Sequence, residues 1–307
     1  MSSKTECAAV TARVLQGDAF ELIRNLPSDS VDLLITSPPY WGLRTYDLDH
    51  NWQIDSEWRS ISDKESIPSY QWYRQHGGLL GLEPYPDWYI AHLVEFFELA
   101  RPVLKETGSL WINVGDTYFA RWSSIRNAGR QGLGANVRQR RRVPMGAYRQ
   151  EKQLLLIPAR FAIGMQERKW ILRNDLIWYK PNIPPRPEKD RLKLAHEHLF
   201  HFVLKPKIGR AKYYYDKQAV EAHGNDVVTC LVRAGQESHT ATFPEGLIAP
   251  RILSSCPPVG TVLDPFCGTG RSLAIAKKFG RNSVGFELSP EYAASAQRIL
   301  NQTLALA

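Results

Sequence analysis

The chain lacks any uninterrupted apolar run of the length that a membrane span needs, which is about eighteen residues. Residues 1–15 also lack the apolar core of a signal peptide. The four cysteines, Cys7, Cys230, Cys256 and Cys267, lie far apart and form no Cys-x-x-Cys pair, which argues against a zinc site and a disulfide framework. We therefore expect a soluble, cytosolic protein with reduced thiols and without a metal or a membrane partner.

Acidic residues are absent from residues 121–149, a stretch that holds eight arginines. The chain has 39 Lys and Arg against 31 Asp and Glu, so this stretch accounts for the net charge of +8. Several glycines and no apolar periodicity predict a mobile basic loop over 121–150. Arginine favours phosphate contact, because its planar guanidinium group matches phosphate oxygens. A solvated insertion without function is the alternative. The expected contact residues are Arg121, Arg126, Arg130, Arg138, Arg140, Arg141 and Arg142.

Short apolar runs alternate with amphipathic segments along the 307 residues, of which 43% are hydrophobic. The runs predict buried strands at 31–36, 109–114, 261–263 and 283–286. The amphipathic segments predict helices at 87–104, 153–169, 244–254, 271–279 and 290–304. This alternation predicts an α/β fold with a doubly wound parallel sheet. The proline-rich residues 181–187 are expected to open a small peripheral lobe over 181–238.

The segment TVLDPFCGTGRSLAIAKKFGRNSVGFEL, residues 261–288, reads as strand, glycine turn, helix, strand and acid. Gly268 and Gly270 let a ligand approach the backbone at a helix N-terminus, and Glu287 follows Gly268 by 19 residues, near the spacing at which an acid meets a ribose. The third glycine of the dinucleotide pattern is replaced by Leu273. The pattern favours an adenosine-bearing cofactor without a pyrophosphate, although a Gly-x-Gly pair alone is often a plain turn.

The glycine turn lies close to the end of the chain, so the remaining strands of its sheet must precede it in sequence. The sheet is therefore expected in permuted order. Residues 14–23 then supply the strand that would follow Glu287 in an unpermuted chain, and Asp18 is placed near the adenine. An isolated Gly-Asp turn is the alternative for this segment.

The segment LLITSPPYWG, residues 33–42, puts two prolines directly after a buried strand. Ligands of parallel sheets bind outside the carboxyl ends of the strands. Pro38 and Pro39 fix φ and remove two backbone donors, so the turn holds its carbonyl acceptors rigidly. A proline turn that merely ends the strand, with Tyr40 and Trp41 as core aromatics, is the structural alternative.

Four segments, GDAFELI, VDLLITSPPY, HTATFPEGLI and VLDPFCGTG, follow one another in this order. Together they resemble the amino methyltransferases of DNA, in the permuted β group whose catalytic motif precedes the S-adenosylmethionine motif. The resemblance covers nearly the whole chain. It implies a single catalytic domain over 1–307 with a Rossmann-like methyltransferase fold in circularly permuted order, a target-recognition lobe over 181–238 and a cofactor segment over 239–307.

The same resemblance implies that S-adenosyl-L-methionine is the cofactor. Glu287 would hold the ribose hydroxyls and Asp18 would meet the adenine, while Gly268-Thr269-Gly270 departs mildly from the commoner Gly-Ser-Gly. Cys267 is interpreted as a small packed residue. The cofactor-binding residues implied are Asp18, His239, Thr242, Phe243, Asp264, Phe266, Gly268, Gly270 and Glu287.

The catalytic residues implied are Ser37, Pro38, Pro39 and Tyr40. The Ser37 hydroxyl and the Pro38 carbonyl can accept hydrogen bonds from an exocyclic amino group, and Tyr40 offers a face on which a base flipped out of duplex DNA can stack. Ser37 is more typical of the cytosine-N4 enzymes of this family than of the adenine-N6 enzymes. We therefore expect cytosine-N4 methylation of double-stranded DNA, in a cytoplasmic protein of prokaryotic or phage origin associated with the nucleoid.

Several alternatives stay open on sequence. They are adenine-N6 methylation, methylation of RNA or of a protein glutamine, and a DNA-binding protein that has lost catalysis. C5 methylation is set aside because no cysteine follows a proline. The resemblance leaves open whether a cognate restriction endonuclease exists.

Residues 194–204, LAHEHLFHFVL, contain three histidines that suggest a metal site at first sight. Their alternation predicts a strand with His196 and His198 on one face and His201 on the other, which argues against shared ligation. The resemblance adds a role for His196 or Glu197 near the target base.

Overall fold

The computed structural model describes residues 10–42, 48–63, 66–119, 122–126, 138–142, 145–183, 189–223, 225–231 and 243–304, with the backbone alone for 122–126 and 138–142. Within these ranges, no helix has both the length and the apolar character needed to cross a membrane. The strands are β1 (Ala12–Gln16), β2 (Val31–Thr36), β3 (Leu104–Val114), β4 (Trp122–Arg126), β5 (Arg138–Arg142), β6 (Trp170–Tyr179), β7 (His196–Leu204), β8 (Val227–Thr229), β9 (Thr261–Asp264) and β10 (Asn282–Glu287). The helices are α1 (Ala19–Leu22), α2 (Ile54–Ile61), α3 (Tyr70–Gln75), α4 (Pro86–Ala100), α5 (Ile157–Glu167), α6 (Glu245–Ser255), α7 (Arg271–Lys278) and α8 (Pro290–Gln302).

Eight strands form one sheet in the order β1-β10-β9-β2-β3-β7-β6-β8. The two C-terminal strands β9 and β10 lie between β1 and β2, so strands from before the glycine turn complete its sheet, as predicted. The strands from β1 to β3 in this order are parallel, but β7 is antiparallel to both of its neighbours. The sheet is therefore mixed: the four strands predicted for the parallel sheet are parallel, whereas β7, which the sequence did not place in this sheet, is antiparallel.

Helices cover both faces of the sheet, which confirms the α/β fold class. On one face, α4 and α5 pack Phe96, Phe97 and Phe161 against the sheet. On the other face, α6 and α7 contribute Ile252 and Ile275 to a second core with β2 and β9. All six residues of β2 are buried, as expected for a strand covered on both sides.

Prolines explain where two predicted helices were misplaced. The helix predicted over 87–104 ends at Ala100 because Pro102, which has no N–H, cannot continue it. The helix predicted over 153–169 begins at Ile157, with Pro158 in its first turn where a missing donor costs nothing. The other three predicted helices lie within two residues of α6, α7 and α8.

Two segments predicted as appendages contain paired strands. Within 181–238, β7 lies between β3 and β6 in the main sheet and β8 pairs with β6, so in the described residues this segment is not a separate lobe. Within 121–150, β4 and β5 pair as an antiparallel two-stranded sheet where a loop was predicted. In both cases the strand preference of a segment depends on the partners and the burial that it finds in the fold, which its own sequence does not give.

Candidate active site

The two sequence motifs meet at one edge of the sheet. Strands β2, β9 and β10 are parallel, so the proline turn after β2, Asp264 at the end of β9 and Glu287 at the end of β10 share the carboxyl edge. The Thr36 hydroxyl donates a 2.6 Å hydrogen bond to Asp264 and so joins the motifs directly. Ligands of open α/β sheets bind at this edge.

The glycine turn leaves the start of α7 open. Gly268 and Gly270 have φ of +52° and +77°, in the left-handed region that favours glycine. A Cβ at Gly270 would lie 2.8 Å from Ala296 Cβ, whereas a Cβ at Gly268 would meet no described atom within 4 Å. The neighbouring Cys267 is buried beside Leu273 and Leu300, and burial raises the pKa of its thiol. The turn thus has the close backbone and the free space that a bound cofactor needs.

Glu287 is half-buried and faces this turn. One carboxylate oxygen accepts from the Gly268 N–H at 2.9 Å and the other from the Ser289 N–H at 2.8 Å. Burial raises its pKa, while these two backbone donors favour the charged form. Each oxygen keeps a further lone pair, so the group can accept from two adjacent hydroxyls.

Asp264 is buried, and its carboxylate is hydrogen-bonded to other residues of the chain. Its carboxylate accepts hydrogen bonds from the Thr36 hydroxyl, the Ser272 hydroxyl and the Phe266 N–H. Burial raises its pKa to about 6. The structure therefore gives Asp264 a joining role between β2, β9 and α7, beside the turn where the cofactor contact was predicted.

Asp18 is also buried, and its carboxylate is occupied. One oxygen accepts from the Phe20 N–H at 2.9 Å as the N-cap of α1. The other accepts from the Tyr70 hydroxyl and pairs with Arg74, both at 3.0 Å. These contacts anchor α3 to the end of β1. The predicted adenine contact would therefore use a carboxylate that already makes structural hydrogen bonds.

The remaining predicted cofactor residues are only partly described. Phe266 packs its ring 5.0 Å from that of Phe96 beside the glycine turn. Phe243 is half-buried against the core formed by α6 and β2. His239 and Thr242 lie outside the described residues.

The proline turn is supported from behind by residues 79–83. The Gly42 N–H donates to the Gly81 carbonyl at 2.7 Å, and the Trp41 indole donates to the Glu83 carbonyl at 2.9 Å. Gly81 has φ of +89°, and a Cβ there would lie 3.2 Å from Pro39. Pro38 is buried, while Ser37, Pro39 and Tyr40 are half-buried. The turn is therefore fixed by tertiary contacts as well as by its prolines.

The Tyr40 hydroxyl lies at the centre of a polar cluster. It receives a 3.3 Å hydrogen bond from the Ser37 hydroxyl and donates at 2.8 Å to Glu197. The Asn113 amide donates both to the Tyr40 oxygen and, at 2.6 Å, to Glu197. Lys180 pairs with the second Glu197 oxygen. Burial and the Glu197 charge together raise the pKa of Tyr40 well above its ordinary value, so its proton is retained.

Asn113, Gly115 and Lys180 were not predicted from the sequence. Asn113 lies in a buried run of β3, where a polar residue is a signal for a hydrogen-bonded role. A Cβ at Gly115 would lie 2.8 Å from the Tyr40 ring, so glycine is needed for the close approach of this ring to β3. Lys180 follows β6, and its contact with Glu197 depends on the pairing of β6 with β7.

His201 is separated from His196 and His198, as the strand alternation predicted. His198 lies 2.9 Å from Asp175 and stacks on Phe200. His201 lies on the opposite face, 3.0 Å from the Ser109 hydroxyl, and burial lowers its pKa to about 3. Within the described ranges, no group of three His, Cys, Asp or Glu side chains is arranged for a metal ion.

Five of the seven predicted DNA-contacting arginines lie on β4 or β5. Arg126, Arg138, Arg140, Arg141 and Arg142 belong to these strands, of which the backbone is described. Arg121 and Arg130 lie outside the described residues. In the register, Arg126 opposes Arg138 and Ser124 opposes Arg140. Pairing thus concentrates the charge along two adjacent strands.

Known proteins match this chain over most of its length. A sequence model of the DNA methylase family matches residues 31–298. The type II methyltransferase M.Cfr9I of Citrobacter freundii is 35% identical over 92% of this chain and 85% of its own length. The type II methyltransferase M.SmaI of Serratia marcescens is 32% identical over 95% of this chain and 92% of its own.

Solved structures share the fold. The PvuII DNA methyltransferase, described as cytosine-N4-specific, has a TM-score of 0.65 and 20% identity over 94% of this chain and 86% of its own. A protein described as a DNA modification methylase of Thermus thermophilus, in complex with S-adenosyl-L-methionine, has a TM-score of 0.57 and 20% identity over 96% of each chain. The chain belongs to the DNA methylase family of N6 and N4 amino methyltransferases, and it is an S-adenosylmethionine-dependent DNA methyltransferase.

Proposed function

We propose that this methyltransferase acts on the exocyclic N4 amino group of cytosine in duplex DNA. The observation that carries the proposal is the position of the Ser37–Tyr40 turn, rigid and one hydrogen bond away from the cofactor strand β9. The Ser37 hydroxyl and the Pro38 carbonyl supply two acceptors there. The turn thus offers acceptors for an amino group next to the place for a methyl donor.

The glycine turn fits S-adenosylmethionine, which supplies a methyl group on a positively charged sulfur when bound. Gly268 leaves free space at the start of α7, and the Glu287 carboxylate keeps unused lone pairs for ribose hydroxyls. Phe266, whose N–H donates to the buried Asp264 carboxylate, precedes Gly268 by two residues. Glu287 and the glycine turn are therefore the residues that would hold the cofactor.

The amino group of cytosine is a poor nucleophile because its lone pair is delocalised into the ring. Hydrogen bonds from its two protons to Ser37 and Pro38 favour a pyramidal nitrogen with an available lone pair. Fixed acceptors also orient the nitrogen toward the methyl group. A strong base is not needed for this role.

A base within a duplex cannot reach this turn, so the target nucleotide must leave the stack. Tyr40 is held at its hydroxyl end by Glu197 and Asn113, which restricts the orientation of its ring. A half-buried, fixed aromatic ring is suited to stacking on the extruded base. The arginines of β4 and β5 are proposed to hold the DNA backbone by phosphate contacts.

Cytosine N4 is favoured over adenine N6 by Ser37, which the family resemblance associates with cytosine enzymes. The PvuII enzyme, which is similar in fold, is described as cytosine-N4-specific. Adenine N6 is the second candidate, because the matched family includes both amino groups. A cognate restriction endonuclease that acts separately, which the sequence left open, is proposed because the relatives are type II methyltransferases.

The test is to methylate duplex DNA with the purified enzyme and to identify the product nucleoside by mass spectrometry. We expect N4-methyldeoxycytidine. N6-methyldeoxyadenosine as the sole product would establish the second candidate. Methylation of RNA or protein in preference to duplex DNA would overturn the substrate assignment.

A further inference from the structure

The polar cluster around Tyr40 has a fixed direction of hydrogen bonding. Lys180 and the Asn113 amide can only donate toward Glu197, so Glu197 is an acceptor in every contact that it makes here. If the side-chain oxygen and nitrogen of Asn113 were exchanged, its carbonyl oxygen would lie against the Glu197 carboxylate, and two acceptors would be in contact. The donating orientation of Asn113 is therefore required by its surroundings.

This direction continues to the Tyr40 hydroxyl. Its single proton points to Glu197, at 2.8 Å, and its oxygen accepts from Asn113. Tyr40 thus has no proton left to give to Ser37, and the contact between the two hydroxyls must have Ser37 as donor. Their separation of 3.3 Å is long for two hydroxyls, as is common for catalytic hydrogen bonds before substrate binds.

A serine hydroxyl has one proton and two lone pairs. With its proton directed at Tyr40, Ser37 presents only lone pairs to the opposite side. A Ser37 proton that pointed toward the substrate would instead meet the protons of an amino group. The direction of the cluster therefore decides whether Ser37 can act as an acceptor.

We propose that Glu197 is a positioning residue that acts through Tyr40 to turn the Ser37 proton away from the target amino group. Asn113 and Lys180 maintain the direction by donating to Glu197. This inference rests on the proposed role of Ser37 as an amino-group acceptor. It adds that the acceptor is set by a carboxylate on β7 that need not touch the substrate.

Glu197→Gln is the most direct variant, because the side chain keeps its shape while its amide can donate to the Tyr40 oxygen. We expect the single-turnover methylation rate to fall roughly tenfold, within the coupling expected for members of one hydrogen-bond network. Cofactor affinity and melting temperature should stay at the parental values. Asp175→Asn is the matched control, because Asp175 is a carboxylate on the neighbouring strand that contacts His198 and not Tyr40.

A double-mutant cycle separates positioning from a general structural effect. If Glu197 acts through Ser37, Glu197→Gln should change the rate less than about twofold when Ser37 is already alanine. Glu197→Gln should change the rate equally little in the Tyr40→Phe background, where the connecting hydroxyl is gone. If Glu197→Gln fails to fold, the cycle between Tyr40→Phe and Ser37→Ala tests the same connection.

Each outcome has a distinct meaning. Full additivity of Glu197→Gln and Ser37→Ala would overturn the inference while leaving the Ser37 acceptor in place. A Ser37→Ala enzyme with the parental rate would instead overturn the acceptor role itself, and the inference with it. Loss of rate in Glu197→Gln together with non-additivity would support the inference.

Discussion

The Thr36 hydroxyl donates a 2.6 Å hydrogen bond to the buried carboxylate of Asp264, across 228 positions of sequence. The bond joins the ends of adjacent strands β2 and β9. It places the proline turn, which begins at the next residue, Ser37, beside the glycine turn that follows Asp264. In the proposed mechanism, the packing of these two strands would set the distance between the Ser37 acceptor and the methyl donor.

The first prediction concerns the pH dependence of stability. The pKa of Asp264 is about 6 in the folded protein and 3.8 as the ordinary reference value. Between these values the folded state binds more protons than the unfolded state, so this group makes stability fall as pH rises. The stability is lost as pH rises through 6, is gone by about pH 7, and amounts to at most about 3 kcal/mol.

Asp264→Asn removes this titration. The free energy of unfolding of the parent should therefore decline relative to that of the variant between pH 4 and pH 7, as measured by urea denaturation. A difference between the two proteins that is constant over this range would contradict the assignment of the titration to Asp264.

The second prediction concerns the cofactor. Glu287→Ala should weaken S-adenosylmethionine binding by about 1.5–3 kcal/mol, the scale of a hydrogen bond to a charged group. Glu291→Ala, at an exposed position in the first turn of α8, is the control. Calorimetry that finds equal affinity for the two variants would remove Glu287 from the ribose site.

The third prediction concerns the arginines of β5. Replacing Arg138, Arg140, Arg141 and Arg142 by alanine should reduce the slope of log K against log salt for DNA binding by up to about 3.6, near 0.9 for each phosphate contact. The control removes the same charge from Lys169, Arg173, Lys205 and Arg210, which line a cavity of about 730 Å³ at the edge of the main sheet opposite the proline turn. Equal changes in slope for the two variants would show a net-charge effect and not a located contact.

The fourth prediction concerns the space that Tyr40 occupies. Gly115→Ala places a methyl group 2.8 Å from the Tyr40 ring and 3.4 Å from the Glu197 side chain, so the ring must move. We expect the methylation rate to fall about 10- to 100-fold, as for a misplaced catalytic group, with cofactor affinity unchanged. Gly246→Ala, whose new methyl group would lie 3.7 Å from Cys230, should keep the parental rate. An unaffected Gly115→Ala enzyme would show that the position of Tyr40 is not critical.

Local sequence was sufficient for the parts of the site that lie within one segment. The run over 31–36 predicted β2 and thereby placed Ser37 at the carboxyl edge. Strand, glycine turn, helix and acid predicted the geometry around Gly268 and Glu287, which the structure joins by a 2.9 Å hydrogen bond. These features follow from periodicity and from the backbone freedom of glycine, which are properties of neighbouring residues.

Contacts between distant segments could not be predicted in the same way. Asp18 contacts Tyr70 and Arg74, which lie 52 and 56 positions further along the chain. Both belong to helix α3, which was not predicted from the sequence. The contact of Lys180 with Glu197 exists because β7 inserts antiparallel between β3 and β6. An apolar strand pattern gives the faces of a strand but does not give its neighbours or its direction.

The central claim is that the proline turn is a catalytic acceptor and not only the end of a strand. Tyr40→Ala removes a stacking platform worth about 1–3 kcal/mol per base and should weaken capture of the flipped nucleotide as well as slow transfer. Ser37→Ala keeps that platform, the prolines and the cofactor site. The two variants together separate binding of the base from activation of its amino group.

The most direct measurement is therefore the single-turnover rate of methyl transfer by Ser37→Ala on duplex DNA that contains the methylated sequence, together with its cofactor affinity. We predict a rate roughly 100-fold below that of the parent, since one preorganised polar group is lost while the Pro38 carbonyl remains. Cofactor affinity should equal that of the parent. Methyl transfer at the parental rate would contradict the account and leave the turn with a structural role alone.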